Sequence, residues 1–398
     1  MNYDFSEKER AFFTVVEECV TGFAEKAGPQ YRDREAAAKD LRQALQQLAS
    51  SGYTQMGCGA GDNDTQTLVA AMETVAAAAP SIFLGVEMSC RMFGRLLDTW
   101  ASAPVLKDDV LEKIRDGRAV GAVALSEAVM NTENQPLETS GTREGPEVVV
   151  NGMKSFVVNG PLADWVAVAG QFEEKAALFI IARDTPGLTL GERLVTSGYE
   201  GAAICGLTLE ACRIPETQVI AGLDSGEMLS RLRLWENQIM MGASLGALKT
   251  AFETARDFAK THKTGGKPAI AYQAVAFKLS EMMTLYQTAQ LFAYRAAWTY
   301  DARPKEAESL TWCAKVFCTE ASEKVASYAL QVLSGEGFLA GNPAERAYRN
   351  AKLGQICGTS SEIARVKIGD HALATNSVHP QTASFGPERR FRYFEIMA

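Results

Sequence analysis

Between about residues 119 and 228 the apolar residues stop recurring every three to four positions and begin to alternate or run together. The runs AVGAVALSE, EVVVNGMKSFVVNG, DWVAVAGQF, AALFIIAR and AAICGLTLEAC are rich in β-formers and separated by Gly, Pro, Asn and Asp. Such a stretch predicts a compact β-barrel or sandwich. Helical spacing resumes on both sides. Before it, SEKERAFFTVVEECVTGFAEKA, DLRQALQQLASSGY and DTQTLVAAMETVAAA carry apolar stripes, and Ser6 followed by Glu9 reads as a capping box. After it, long amphipathic segments at about 229–262, 268–300, 304–334, 343–353 and 360–374 predict a helical bundle. The expected class is α+β: an N-terminal all-α domain (1–118), a middle β-barrel/sandwich domain (119–228), a C-terminal four-helix-bundle domain (229–375) and a tail (376–398).

Composition narrows the function. Hydrophobic residues make up 47% and charged residues 22%, as in soluble globular proteins. The net charge of −8, with no basic stripe, argues against a nucleic-acid partner. No run of about 18 apolar residues is present, so no membrane span is expected. The segment MNYDFSEKERAFF has no signal-peptide core, which makes the cytoplasm the expected location. Eight scattered cysteines without a CxxC pair, and three histidines, favour buried thiols over a metal site or a disulfide framework.

The order helices, β domain, helical bundle resembles the acyl-CoA dehydrogenase family. GAVALSEAVMNTE is similar to the family's A-L-T-E-P-x-A-G-S-D, and VNGMKSFVVNGPLADWVAVAG to its N-G-x-K-x-W-I-T-N-G-x-x-A-D strand pair. GGKPAIAYQAVAFKLSEM, QVLSGEGF, PAERAYRNAK and SSEIARVKIG resemble its C-terminal signatures in the same order. The resemblance implies FAD as cofactor and an acyl thioester, bound to CoA or to a carrier protein, as substrate. A base would remove the α-proton while the flavin takes the β-hydride. It further implies a homodimer or homotetramer and an electron-transfer flavoprotein as possible acceptor. Carried over position by position, it puts FAD against Leu125, Ser126, Thr132, Phe156, Val157, Val158, His262, Lys263, Thr264, Gln273, Gln331, Gly335, Ser360 and Glu362, and the thioester against Thr132, Asn237, Cys357 and Gly358.

Most of the family carries its base in a loop reading Q-I-Y-E-G-T-S-E-I-x-R. Here the loop reads QICGTSSEIAR, with Cys357 and Gly358 where Tyr and Glu would stand. The isovaleryl-CoA and long-chain types place the base early on the first bundle helix, ten residues before a Gly. In LWENQIMMGASLGAL that residue is Glu236, ten before Gly246. On a helix Glu236 shares an apolar stripe with Leu232, Ile239, Met240, Ala243 and Ala247. A carboxylate there is costly unless paired or functional. The catalytic base expected from the sequence is therefore Glu236; the plainer alternative is an ion pair with Arg233. Loss of the Tyr-Glu pair predicts extra room for a bulky acyl group.

Several positions depart from the family. Val158 replaces a Thr near the flavin, Phe156 a Trp, Asn131 and Thr132 a Gly-Ser, His262 a phosphate-binding Arg, Gly265 a Phe, Asn237 an Arg and Ser334 a Gly. The pattern suggests a specialised dehydrogenase of a biosynthetic kind. Redox-neutral enolate chemistry, a flavin monooxygenase and a non-catalytic binding protein on the same fold are the alternatives.

Overall fold

The computed structural model describes residues 4–23, 34–59, 64–128 and 136–374 of the chain. Helix α1 (Glu7–Thr21) starts at the expected capping box: the Ser6 hydroxyl accepts the Glu9 N–H at 3.3 Å, and the Glu9 carboxylate accepts the Ser6 N–H at 2.6 Å. Helices α2 (Arg34–Ser50), α3 (Thr65–Ala78) and α4 (Pro80–Glu87) follow. A π-helical segment, Met88–Gly94, leads into α5 (Arg95–Trp100), and a second, Val105–Leu111, into α6 (Glu112–Arg115). Val16, Val20, Leu45, Leu48, Leu84 and Phe93 close the core between them. Glu87 and Arg91 sit fully buried in that core. The Tyr53 hydroxyl donates to Glu87 at 2.6 Å, and the Arg91 guanidinium donates to the Tyr53 carbonyl at 2.7 Å. Buried charges persist only with such partners.

The strands are β1 (Gly121–Ala124), β2 (Ser140–Glu144), β3 (Glu147–Val158), β4 (Trp165–Phe172), β5 (Lys175–Ala182), β6 (Leu188–Leu190), β7 (Ile204–Pro215) and β8 (Val219–Leu223). They make one mixed sheet, ordered β6-β7-β3-β2-β4-β5-β8, with β1 parallel to β4. Alternate residues of β4 and β5 serve two cores, as strand geometry requires. Val166, Val168, Phe179 and Ile181 pack with Val148 and Val150 of β3 and Leu207 and Leu209 of β7. Ala167, Ala169, Leu178 and Ile180 pack instead into the helical core. The sheet thus curls over its own core in sandwich fashion and gives its other face to helices.

The Asp224 carboxylate caps α7 (Ser225–Thr261), accepting the Glu227 N–H at 2.8 Å. A short hairpin, β9 (Lys263–Thr264) and β10 (Lys267–Pro268), turns the chain into α8 (Gln273–Ala302). Then come α9 (Pro304–Leu333), α10 (Pro343–Ile356) and α11 (Ser361–Ala374). Helix α7 meets α3 closely enough that a Cβ on Gly246 would fall 2.5 Å from the Ala76 Cβ. That contact explains the glycine used above to place Glu236. Glu73 of α3 reaches into the bundle, where the Tyr294 hydroxyl donates to it at 2.9 Å and the Gln290 amide at 2.8 Å, joined by the Tyr286 hydroxyl. None of the eight cysteines is in a disulfide, and five of them are buried. No helix among the described residues is long and apolar enough to cross a membrane.

Candidate active site

Residues 357–360, between α10 and α11, fold against the first half of α7. The Cys357 N–H closes α10 by donating to the Leu353 carbonyl at 2.9 Å. The next residue, Gly358, takes a left-handed backbone with φ 67°. Thr359 is then held on three sides. Its N–H donates to the Asn237 Oδ1 at 2.9 Å, its Oγ1 accepts from the Asn237 Nδ2 at 3.1 Å, and its carbonyl accepts from the Lys315 Nζ at 2.6 Å. Asn237 is the neighbour of Glu236 on α7, so the loop is fixed beside that carboxylate.

Glu236 forms the alternative ion pair as well: the Arg233 guanidinium donates to it at 2.9 Å. Both side chains keep about a sixth of their surface, 15% for Arg233 and 17% for Glu236. The pair uses the ionised carboxylate, the form a general base needs, and leaves part of it open to a reactant. Glu236, Lys315, Arg233 and Cys357 act on one another electrostatically. Burial pushes the Cys357 thiol up to about 12, with the negative charge of Glu236 adding to the effect and Lys315 and Arg233 opposing it. A thiol held in this way is not the nucleophilic thiolate. Burial also draws the Lys315 amine down to about 8, against the pull of Cys357, Glu236, Glu362 and Glu320.

The expected extra room is not present at Gly358. A Cβ there would lie 2.4 Å from the Asn237 Oδ1, so the asparagine already fills the space a larger residue would take. Gly358→Ala should cost about 1–3 kcal/mol, from the left-handed backbone together with this clash. Chemical denaturation measures it; an unchanged midpoint would mean that the loop relaxes freely.

The residues expected at the cofactor fall into groups. Leu125 and Ser126 follow β1, and the Ser126 carbonyl accepts the Ser155 N–H at 2.8 Å, which lashes this segment to the end of β3. A bulge between Lys154 and Val157 puts Phe156 at φ 55° with 58% of its surface exposed, while Val158 packs on the helical core. Lys154 and Glu127 brace the same segment from inside. The Lys154 amine donates to Glu127 at 2.6 Å and to the Leu125 carbonyl at 3.2 Å, and Glu127 also accepts the Glu138 N–H, the Thr139 N–H and the Thr139 hydroxyl. His262, Lys263, Thr264 and Gln273 form a second, exposed group at the hairpin. The His262 ring stacks on Phe258 at 4.4 Å, and the Tyr272 hydroxyl donates to the Thr264 carbonyl at 2.7 Å. Gln331 and Gly335 are exposed at the end of α9, where Ser334 keeps φ 53° without being a glycine. Ser360 and Glu362 flank the start of α11. Between them the Ser361 hydroxyl is buried without a hydrogen-bond partner among the described residues, a donor suited to a bound polar group. Asn131 and Thr132 lie outside the described residues. A cavity of about 120 Å³ lies elsewhere, lined by Trp235, Arg231, Arg95 and Tyr300 rather than by Glu236.

Sequence reading missed Lys315 and Thr359 as parts of the site. The one available signal was a lone lysine inside the apolar run WCAKVFC.

The middle-domain model of the acyl-CoA dehydrogenase family matches residues 122–212, and its C-terminal-domain model matches residues 229–373. The chain belongs to the acyl-CoA dehydrogenase family. It is accordingly an oxidoreductase acting on CH–CH bonds, with FAD as cofactor. Among its relatives, the benzylmalonyl-CoA dehydrogenase of Aromatoleum aromaticum is 27% identical over 92% of this chain and 98% of its own length. The prolyl acyl carrier protein oxidase AnaB shares the fold at a TM-score of 0.82 and 21% identity, over 93% of this chain and 100% of its own. PigA, solved with FAD and proline, does so at 0.81 and 18%, over 94% and 99%.

Proposed function

We propose that the chain dehydrogenates an acyl thioester across its α,β-bond and that Glu236 takes the α-proton. The observation carrying this reading is the site's single arrangement around Glu236. The loop that would otherwise supply a carboxylate is closed by Asn237 and Lys315, and the ionised Glu236 stands beside it with part of its surface open. Bound FAD supplies the acceptor for the β-hydride. The chain's own groups do the rest. Leu125, Ser126 and the bulged end of β3 offer an edge and an exposed aromatic face for the ring system, and Ser361 offers a buried donor. Glu236 accepts the proton, with Arg233 paired to it and Lys315 holding the adjacent loop from behind.

The name of AnaB supports a carrier-bound acyl group, and that of the benzylmalonyl-CoA relative supports CoA. Exposed Phe277 and Leu291 lie seven-residue multiples apart on α8, on one stripe with Gln273, which supports a homodimer or homotetramer that covers the hairpin group. Purified protein mixed anaerobically with acyl-CoA and with acyl carrier protein thioesters tests the reading. One series should bleach the flavin, and light scattering should report at least a dimer. A yellow protein that no acyl thioester bleaches would overturn it.

A further inference from the structure

We propose that Lys315 is a positioning residue for this reaction: through Thr359 its ammonium fixes the 357–360 loop against α7 and sets the field in which Glu236 accepts the proton. The inference rests on Glu236 being the base. Lys315 is fully buried on the face of α9 that carries Thr311, Ala314 and Cys318. Its hydrogen bond, 2.6 Å to the Thr359 carbonyl, spans 44 residues of sequence and lands on the residue that Asn237 grips from the other side. A neutral donor would satisfy one carbonyl equally well. Burying an amine at that point instead is costly unless the charge itself has use. The carboxylates facing it are Glu236 from α7, Glu362 from α11 and Glu320 from its own helix, beside the neutral Cys357 thiol of the loop, which Arg233 of α7 also faces. Of these carboxylates Glu236 is the one next to Asn237, the residue that grips the loop.

Lys315→Gln keeps a donor and removes the charge; Lys315→Met removes both. The rate of flavin reduction by the thioester is measured against pH in the FAD-loaded protein, together with thermal melting. In both variants flavin reduction should slow about tenfold at neutral pH, because the lost cation no longer contributes to the field at Glu236. The effect should fall on kcat more than on KM. The wild-type profile should also decline above about pH 8, where the buried amine loses its proton, and that decline should be missing from the variants. Variants that melt earlier but keep the wild-type profile would reduce Lys315 to a structural role and overturn the proposal. If neither variant folds, Lys315→Arg, which keeps the charge, replaces them: a near-wild-type rate with the alkaline decline moved upward supports the field, and a profile identical to the wild type's to about pH 11 overturns it. Glu236→Gln separates the two ideas. Near-normal turnover in that variant removes the base assignment; loss of turnover there, with unmoved Lys315 profiles, removes only this inference.

Discussion

Glu236→Gln is expected to slow flavin reduction by an acyl thioester about 10²–10⁴-fold, the usual contribution of a general base. Gln keeps the size and a hydrogen-bonding carbonyl toward Arg233 but cannot take a proton at neutral pH. The ion pair it removes is mostly buried but Gln keeps an acceptor for Arg233, so folding should lose about 1–3 kcal/mol. Rapid mixing under anaerobic conditions reads the rate, and absorbance reads FAD content. Reduction at near-normal speed in a folded, yellow variant would show that the proton goes to another group. The carboxylate cannot simply be moved to the loop to restore the rate. Asn237 occupies the volume that a side chain at residue 358 would need. The asparagine after the base and the glycine in the loop therefore form one packing unit, and they must change together.

Lys154→Met should destabilise the protein by about 3–5 kcal/mol, the range for leaving one partner of a buried ion pair uncompensated. Lys154 is almost fully enclosed, and Glu127 keeps only 7% of its side-chain surface. Without the amine, the Leu125 carbonyl also loses its donor. Because the same lysine braces Leu125–Ser126 against β3, FAD content should fall along with the denaturation midpoint. A variant within about 1 kcal/mol of wild type would mean that the three donors left to Glu127, the Glu138 N–H and both donors of Thr139, suffice on their own.

The fold was legible because each level of the sequence agreed with the next. The change from alternating to helical spacing, read near residue 228, falls a few residues inside α7, which begins at Ser225, and the Ser6–Glu9 box forms as read. Glu236 stood out because a carboxylate interrupts an apolar stripe on one helix, a local signal. The Arg233 pair was legible for the same reason. Contacts between distant segments were not legible. Nothing in the sequence near Thr359 points to Lys315, and nothing near Gly358 shows that Asn237 would pack into it. For that reason the space expected at Gly358 turned out to be taken by Asn237. Phe258, four residues before His262, similarly claims the histidine ring by stacking, which alignment with an arginine could not reveal.

The buried Glu73 has a consequence for how the chain can be divided. Its carboxylate belongs to a helix that precedes the sheet, yet its hydrogen-bond donors, Tyr286, Gln290 and Tyr294, all belong to α8. Gly242 and Gly246 of α7 likewise leave a groove that α3 fills. A bundle cut free at residue 229 would uncover that groove and strand two tyrosine hydroxyls without their acceptor. The helices that begin the chain and those that end it are thus one cooperative unit interrupted by a sheet, and exchanging either part with a relative requires carrying α3 along.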